Sequence, residues 1–338
     1  MPHRLLNISA ITSIALYDCT LLGLYALRVA APADGPWWLA FVSVWESWWY
    51  LPLPLFMLSG LAIKPRLLAI ALLIVPLGLW LRSDGELFLP NLPVAGSRRL
   101  TVLTFNLRFD HNDLAAVLAA IHEANADVIA LQELTTGMDE FLWPELQAEY
   151  PYRLSAAVDA SWGSGIYSRY PLTLLEVRAA NDGFTDTQDA VLDWNGTPVR
   201  LINFHTGPPT LYIRPAFVPS LGLPYNYTAD VRHAQIDDLI PRLAAIDSPL
   251  VLACDCNMDP ASYDYQRIAS VLGDSFREAG WGYGHTLYYN DSPNSLGWIP
   301  LVRIDYIFHS RHWQAALAQA LPYASSNHRP VIAELVMP

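Results

Sequence analysis

Seven polar residues on or just beyond apolar, strand-like runs are the side chains of this sequence best suited to chemistry. Two are asparagines, three are carboxylates and two are histidines: Asn106, Glu133, His205, Asp255, Asn257, Asp305 and His328. A packed core has no use for polar groups at the ends of its strands, so their recurrence predicts one shared site. Carboxylate and amide oxygens favour a hard cation such as Mg²⁺ or Mn²⁺, and the sequence has no Cys/His cluster with zinc spacing.

The order and flanking residues of these positions resemble the endonuclease/exonuclease/phosphatase superfamily. The segments that carry the resemblance are Thr104-Phe-Asn106, Leu131-Gln-Glu133, Asn203-Phe-His205, Asp255-Cys-Asn257, Arg303-Ile-Asp-Tyr306 and Ser326-Asn-His-Arg-Pro330. That superfamily includes exonuclease III-like nucleases, deoxyribonuclease I and neutral sphingomyelinases, and some of its members have N-terminal membrane anchors. The resemblance therefore implies hydrolysis of a phosphate ester that depends on Mg²⁺ or Mn²⁺.

The resemblance also implies a role for each residue of the first four segments. Glu133 matches the principal metal ligand of the family, and Asn106 matches the asparagine beside it. Asp255 would orient or deprotonate the attacking water, while Asn257 would hold the phosphate or that aspartate. His205 matches a histidine that hydrogen-bonds a phosphate oxygen or helps the leaving group depart.

His328 needs a partner, because an imidazole must have a fixed tautomer and orientation to act in catalysis. A carboxylate supplies both by accepting the second N–H of the ring. In the family an aspartate, here Asp305, partners the histidine of a Ser-Asp-His-Arg-Pro motif and the pair contacts the phosphate. Protonation decides whether His328 is a base or a cationic clamp, so both roles stay open. Asn327 stands where the family has aspartate, which leaves open whether one metal ion or two bind.

Strand periodicity gives two predictions around Asp255. Residues two apart on a strand point to the same side, so Asp255 and Asn257 are predicted to face one phosphate. Cys254 and Cys256 lie on the opposite side and are too close in one strand for an unstrained bridge, so no disulfide is predicted.

Strand-like and helical spacings alternate after residue 98, as in an α/β domain. The resemblance implies two packed mixed β-sheets flanked by helices, a four-layer sandwich that forms the catalytic domain over residues 99–338. One predicted helix carries Arg232-His-Ala-Gln235, which resembles an Arg-x-x-Gln helix of the family. Residues 83–98 are rich in glycine and proline and predict a linker.

Residues 1–82 are strongly apolar and predict a membrane anchor. Apolar runs over residues 7–27, 38–63 and 67–81 predict a bundle of about three transmembrane helices, because at about 1.5 Å per residue the first two can cross about 30 Å of hydrocarbon. The third run must be extended to do so. A cleaved signal peptide is the alternative for the first run, since Arg4 precedes it and small residues follow it.

Charges next to the predicted spans set their orientation. Arg4 and the Lys64-Pro-Arg66 turn are basic, whereas the other flanks mix acidic and basic residues. The positive-inside rule places the N-terminus in the cytoplasm and, after three spans, the catalytic domain outside. The predicted localisation is therefore a multi-pass cell-membrane protein with an extracytoplasmic catalytic domain. That orientation reverses if the third run does not span.

The formal net charge of −12 lies entirely in residues 98–338, because residues 1–97 hold equal numbers of acidic and basic side chains. An acidic domain repels polyanions, which counts against nucleic acid as a partner. The predicted function is a membrane-tethered phosphodiesterase or phosphatase, with a lipid headgroup or small phosphodiester as substrate and the lipid bilayer as partner. An anchored extracellular nuclease and a catalytically weak phosphate-binding protein are the alternatives.

Residues 207–229 form a long apolar segment after His205 and contain five prolines. A structureless loop of this length and composition is uncommon in a soluble domain. It is therefore predicted to contact the membrane or the apolar part of a substrate, with Phe217, Val218 and Leu221 among the contact residues. Packing back as a cover of the core is the alternative.

Overall fold

The computed structural model describes residues 2–31, 33–62, 66–91, 94–110, 113–179, 185–215, 222–289 and 299–338. The chain divides into two compact units. The helical unit comprises Met1–Leu89, Leu211–Thr228 and Ala261–Tyr263, and the sheet unit comprises Pro90–Thr210, Ala229–Pro260 and Asp264–Pro338. Five residues named in the predictions above lie outside the described residues: Lys64, Pro65, Phe217, Val218 and Leu221.

One helix in the described part of the helical unit is long and apolar enough to cross a membrane. It is the stretch Asn7–Ala30 of the first helix, and a signal sequence near the N-terminus would pass the same test. The helices of this unit are α1 (Pro2–Ala30), α2 (Trp37–Ser43), α3 (Glu46–Trp49), α4 (Leu53–Ala62) and α5 (Arg66–Ser83), followed by a 3₁₀ turn (Gly85–Phe88).

The prediction of three transmembrane helices is wrong, because the second apolar run is not one helix. Residues 38–63 contain α2, α3 and α4, and the chain turns twice between them. Pro52 has no backbone N–H and Pro54 lies in the first turn of α4, so a new helix begins there. In α5 the described apolar stretch, Leu68–Ser83, is shorter than a span. The multi-pass topology and the extracytoplasmic placement that rested on it find no support.

The segment after His205 contains two strands rather than a continuous loop. β8 (Thr210–Pro215) and β9 (Gly222–Thr228) pair as a two-stranded sheet, which corrects the loop prediction for the described residues. The ring of Tyr227 on β9 lies 5.8 Å from the ring of Phe41 on α2. Paired strands satisfy the backbone polar groups that an apolar loop would leave without partners.

The first six-stranded sheet of the sheet unit is mixed. Its strand order is β15 (Gln314–Ala320), β16 (Val331–Met337), β1 (Arg98–Asn106), β2 (Val128–Gln132), β4 (Ser164–Ser168) and β3 (Tyr152–Ala156). β1 runs parallel to β2 and antiparallel to β16. Leu103, Phe105 and Leu131 pack with side chains of two helices, α6 (Leu114–Ala124) and α7 (Thr136–Leu146).

The second six-stranded sheet is also mixed. Its strand order is β11 (Gly273–Asp274), β14 (Asp305–His309), β10 (Leu250–Asp255), β7 (Thr197–His205), β6 (Thr185–Trp194) and β5 (Leu172–Ala179). Ile202, Leu252 and Phe308 pack with side chains of α8 (Asp230–Ala244) and α9 (Tyr263–Ala269). The remaining elements are α10 (Ser275–Ala279), β12 (Leu287–Tyr288) and β13 (Pro300–Val302).

Alternation along the strands decides which side chains lie between the two sheets. On β1, Phe105 packs against helices, so Asn106 faces the second sheet. On β10, Cys254 packs against helices, so Asp255 faces the first sheet. The predicted architecture of two packed mixed sheets with helices on the outer faces is thereby confirmed. Inner-facing polar residues at the ends of the strands therefore lie at one edge, between the two sheets.

Candidate active site

His205, Asp255 and Asp305 stand side by side at one edge of the second sheet. β10 runs parallel to β7 and antiparallel to β14, in a register that pairs Asp255 with His205 on one side and with Asp305 on the other. His205 and Asp255 end their strands, and Asp305 begins its strand. Because adjacent strands lie about 4.8 Å apart, the three side chains form one row.

Glu133 and Asn106 reach the same row from the first sheet. Asn106 ends β1, and Glu133 follows β2 with a φ of 55°, which turns the chain out of the strand. Nδ2 of Asn106 donates to Oε1 of Glu133 at 3.0 Å and to Oδ2 of Asp255 at 2.8 Å. Asn106 therefore links a carboxylate of one sheet to a carboxylate of the other.

Asn106 presents the donor end of its amide to these carboxylates. Its Oδ1 accepts a hydrogen bond from the backbone N–H of Arg108 at 2.8 Å. Oε2 of Glu133 likewise accepts the backbone N–H of Phe109 at 2.9 Å. In this arrangement Asn106 orients the two carboxylates. Its role as a direct metal ligand stays a prediction, because that role would require Oδ1 to face the ion.

Asp305 holds His328 through Nδ1, at 3.0 Å from Oδ2 and 3.1 Å from Oδ1. The other ring nitrogen, Nε2, lies 3.8 Å from Oδ2 of Asp255. Oγ of Ser326 accepts the backbone N–H of His328 at 3.1 Å and donates to the carbonyl of Asn106 at 2.8 Å. This serine ties the His328 loop to the end of β1.

Neighbouring carboxylates favour a proton on His328, against the effect of burial. Burial by itself would lower the pKa of His328, but the carboxylates of Asp305 and Asp255 outweigh it and raise that pKa to about 9. Burial raises the pKa of Asp305, and the charge of His328 opposes this shift. A divalent cation beside Asp255 would act against the positive charge of the imidazole.

Asp255 lies at the centre of the site. Its Oδ2 is 3.4 Å from Nε2 of His205, and its Oδ1 accepts the backbone N–H of Asn257 at 3.1 Å. Asn257 lies beyond the end of β10 with a φ of 46°, and its Nδ2 donates to the carbonyl of Thr206 at 2.8 Å. The prediction that Asp255 and Asn257 share one strand face is therefore wrong, because the left-handed backbone turns Asn257 away from the strand direction.

Cys254 and Cys256 form a disulfide on the core side of Asp255. The prediction of no bridge is wrong, because it placed both cysteines in one regular strand, whereas β10 ends at Asp255. The chain leaves the strand after Asp255, and the two Cα atoms lie 5.2 Å apart. That separation is within the usual range for a disulfide.

Helix α8 supports the loops that follow β7 and β10. Nη1 of the buried Arg232 donates to the carbonyl of Asn257 at 2.7 Å, and its Nε donates to Asp264 at 2.9 Å. Oε1 of Gln235 accepts the backbone N–H of Gly207 at 2.8 Å. The sequence motif over residues 232–235 marked this helix, but the contacts could not be read from the motif.

Gln132 and Asn203 form a buried link between the sheets that sequence reasoning missed. Nε2 of Gln132 donates to Oδ1 of Asn203 at 2.7 Å and to the hydroxyl of Thr104 at 2.9 Å. Nδ2 of Asn203 donates to the carbonyl of Leu131 at 2.9 Å. The sequence did contain a signal for this link, because Gln132 and Asn203 are polar residues inside the same apolar strand segments that carry the site residues. They hold the two sheets together behind the site.

The donor set at this edge fits a divalent cation bound by oxygen. Among the described residues, the hydrogen bonds and ion pairs of Glu133, Asp255 and Asp305 involve amides, backbone N–H groups, imidazoles and the hydroxyl of Thr286, but no Lys or Arg. Ligand atoms of Asp255, Asp305 and His328 lie within 4.8 Å of one another. Oδ1 of Asn327 is a buried acceptor without a hydrogen-bond partner in the described part of the chain. Concentrated negative charge on hard oxygen atoms favours such an ion.

Comparison with known proteins identifies the family. The model of the Endonuclease/Exonuclease/phosphatase family matches residues 103–328, which is more than half of the chain. The chain belongs to this family. Members of the family act on phosphate esters, typically with a divalent metal ion. The match begins within β1 and ends at His328, so it includes all seven site residues.

Solved structures with this family fold share little sequence with the chain. A family member from Bacteroides vulgatus is 18% identical with a TM-score of 0.54, covering 72% of this chain and 100% of that one. D. rerio TDP2 complexed with single strand DNA product is 14% identical with a TM-score of 0.53, covering 71% and 99%. A mannosyl-6-phosphatase from Bacteroides thetaiotaomicron is 18% identical with a TM-score of 0.52, covering 70% and 100%. No curated protein matches the sequence.

Proposed function

We propose that this protein hydrolyses phosphate esters with the help of Mg²⁺ or Mn²⁺. The observation that carries the proposal is the row of His205, Asp255 and Asp305, which Asn106 connects to Glu133 of the other sheet. When bound, the cation would hold and neutralise the phosphoryl oxygens of the substrate. Glu133 is the residue that we assign to holding it, with Asn106 beside it.

Asp255 is the group that we assign to the attacking water. Its carboxylate is buried, lies at the centre of the site and is held through Oδ1 by the backbone N–H of Asn257. Oδ2 is the oxygen near His205 and His328, so it faces the space that a reacting group would occupy. Asp255 would orient this water and accept its proton.

His328, His205 and Asn257 are the groups that we assign to the phosphate and the leaving group. Asp305 occupies Nδ1 of His328, which leaves Nε2 to donate to a phosphoryl oxygen. Nε2 of His205 approaches Asp255 from the other side of the row and would donate to the leaving oxygen or to the phosphate. Asn257 fixes the loop beside them through Thr206.

The substrate that we propose is a lipid headgroup or a small phosphodiester rather than DNA. Residues 98–338 carry the whole formal charge of −12. Such a domain gains little from counterion release on a polyanion. Structures of this fold include both a complex with single strand DNA product and a mannosyl-6-phosphatase, so the fold does not choose between substrates.

We infer that α1 tethers the protein to a membrane. Its stretch Asn7–Ala30 extends about 36 Å at 1.5 Å per residue, which is enough to cross the hydrocarbon of a bilayer. Aliphatic side chains such as Leu16 and Val29 are largely exposed on its surface. Removal of this helix as a signal peptide is the outcome that would exclude tethering, and N-terminal sequencing of the protein from both the membrane and the soluble fractions would reveal it.

A metal-dependent activity screen of the full chain in detergent micelles tests the proposed function. The panel should contain phospholipids, soluble phosphodiesters, sugar phosphates, and single-stranded and duplex DNA, each with Mg²⁺, Mn²⁺ or EDTA. We expect turnover of a lipid headgroup or small ester that EDTA abolishes. Turnover that persists in EDTA would overturn the metal mechanism, and preferential turnover of DNA would overturn the substrate assignment.

A further inference from the structure

The β8–β9 sheet has an exposed face that the proposed reaction does not use. The rings of Tyr212 on β8 and Tyr225 on β9 lie 6.0 Å apart, so they stand on the same face. Alternate residues of a strand share a face, which adds Arg214, Leu223 and Tyr227. Tyr227 packs against Phe41 of α2, so the exposed part of this face consists of the other four residues. Tyr212, Leu223 and Tyr225 are between 41% and 49% exposed, and Arg214 is exposed as well. We call these four residues the hairpin face.

The composition of the hairpin face suits the boundary between lipid and water. β8 and β9 contain one arginine and no acidic residue, in a chain with a formal net charge of −12. Tyrosine combines an apolar ring with a polar hydroxyl and is enriched at membrane interfaces. Arginine can lay its aliphatic stem on apolar surface while its guanidinium reaches a lipid phosphate.

The hairpin face belongs to the same compact unit as the apolar helix α1. Within that unit, β9 packs on α2 through the rings of Tyr227 and Phe41. Large apolar side chains are exposed on three further helical surfaces of the unit: Leu16, Leu22, Val29, Leu55, Leu58, Ile74 and Leu81. Soluble proteins rarely expose so much apolar surface, so lipid is the environment that fits this unit.

We propose that the hairpin face lies in the headgroup region of the membrane that α1 crosses. The proposal rests on the tethering that we propose for α1. A single helix holds a protein at a membrane but leaves it free to rotate and tilt. A second contact through the hairpin face would fix the orientation of the helical unit at the bilayer surface.

Spin labels that report immersion in lipid test this proposal. Nitroxide collision rates with O₂, which concentrates in lipid, and with a water-soluble nickel chelate give the depth of each label. The hairpin labels are Tyr212→Cys and Leu223→Cys, in the full chain with Cys19→Ser, reconstituted in vesicles of phosphatidylcholine and phosphatidylglycerol. The other two cysteines form a buried disulfide and take no label.

Matched positions separate the hairpin contact from the anchor. Leu22→Cys on α1 reports the span. Leu174→Cys and Val177→Cys on β5 report a strand of the sheet unit whose aliphatic side chains are similarly exposed, at 44% and 43%. We expect the O₂-to-nickel ratio of both hairpin labels to exceed that of the β5 labels several-fold.

Each alternative outcome has a distinct consequence. Hairpin labels that match the β5 labels, while the Leu22 label is immersed, would overturn the second contact and leave the anchor in place. A water-exposed Leu22 label would overturn the anchor and this inference together. Hairpin labels that are shielded from both reagents, and whose spectra are broadened by spin–spin interaction with labels on other molecules, would assign the face to a second copy of the chain.

Discussion

The imidazole of His328 lies between two carboxylates, with Nδ1 hydrogen-bonded to Asp305 at 3.0 Å and Nε2 at 3.8 Å from Asp255. The pairing with Asp305 selects the tautomer and the ring orientation, so the two residues should act as one unit. The proposed chemistry can therefore be tested at a residue that need not touch the substrate.

Replacement of Asp305 by asparagine should lower kcat on the order of 10²-fold or more, because the amide can stabilise the wrong tautomer of His328. His328→Gln should lower kcat at least as much. Steady-state kinetics and circular dichroism of the folded variants are the measurements. His309→Gln, which alters a buried histidine on the same strand as Asp305, is the control and should keep full kcat. Unchanged kcat in Asp305→Asn would contradict the assigned pairing.

Loss of either central carboxylate should weaken metal binding and turnover together. We expect Glu133→Gln and Asp255→Asn to lower kcat on the order of 10²-fold or more, because they remove charge from the predicted metal and water positions. The measurement is enzymatic activity as a function of Mg²⁺ or Mn²⁺ concentration. Glu334→Gln, a partly exposed carboxylate on β16, serves as the control. If the activity of both site variants depended on metal concentration as in the parent chain, Glu133 and Asp255 could not be the source of that dependence.

Arg232 should act as a positioning residue for Asn257. Arg232→Lys keeps a positive charge for Asp264 but cannot also reach the carbonyl of Asn257, which Arg232 holds at 2.7 Å. We expect kcat to fall on the order of 10-fold with little change in KM, because small misplacements of catalytic groups are costly. Arg267→Lys is the matched control, since Arg267 lies 3.5 Å from the same Asp264. Equal kinetic losses in both variants would indicate a general structural effect.

Asn327→Asp should strengthen metal binding. Oδ1 of Asn327 is a buried acceptor without a hydrogen-bond partner among the described residues, and it is adjacent in sequence to His328. A carboxylate there would add negative charge close to the proposed cation. Calorimetric titration with Mn²⁺ should show higher affinity or an additional ion. Asn195→Asp, in an exposed turn, should change neither, and identical titrations of the two variants would show that position 327 does not face the ion.

The His309–Glu278 pair should make stability depend on pH away from the active site. Burial alone would lower the pKa of His309, but Glu278, 3.1 Å away, raises it above 6.5. Burial alone would raise the pKa of Glu278, but His309 lowers it below 4.5. The contribution of His309 is full below pH 6.5 and is lost as pH rises through its raised pKa. The contribution of Glu278 is present above pH 4.5 and is lost as pH falls through its lowered pKa.

His309→Gln should therefore reduce the free energy of unfolding by about 1–2 kcal/mol between pH 4.5 and 6.5. The difference from the parent chain should shrink on either side of that window. Denaturant titration at a series of pH values is the measurement. A difference that stays constant up to alkaline pH would show that packing, and not the ion pair, is responsible for it.

The sequence by itself determined which polar side chains meet at one edge of the sheets. His205, Asp255 and Asp305 end or begin strongly apolar strands, and period-2 alternation with helix-covered outer faces directs them between the sheets. Their pattern also marked the family that the match over residues 103–328 confirms. Local periodicity and order along the chain are sufficient for these features, because they depend on near neighbours.

The tertiary structure decided everything that depends on where a strand stops or on a partner far away in sequence. The left-handed backbone at Asn257 removed it from the strand face, and Cys254 and Cys256, on either side of the residue where β10 ends, have their Cα atoms 5.2 Å apart and form a disulfide. The direction of the Asn106 amide follows from donors and acceptors on two different sheets. Hydrophobicity marked residues 38–63 as one apolar run, but turns and prolines broke it into short helices. The average hydrophobicity of a segment does not show where its backbone hydrogen bonds are interrupted.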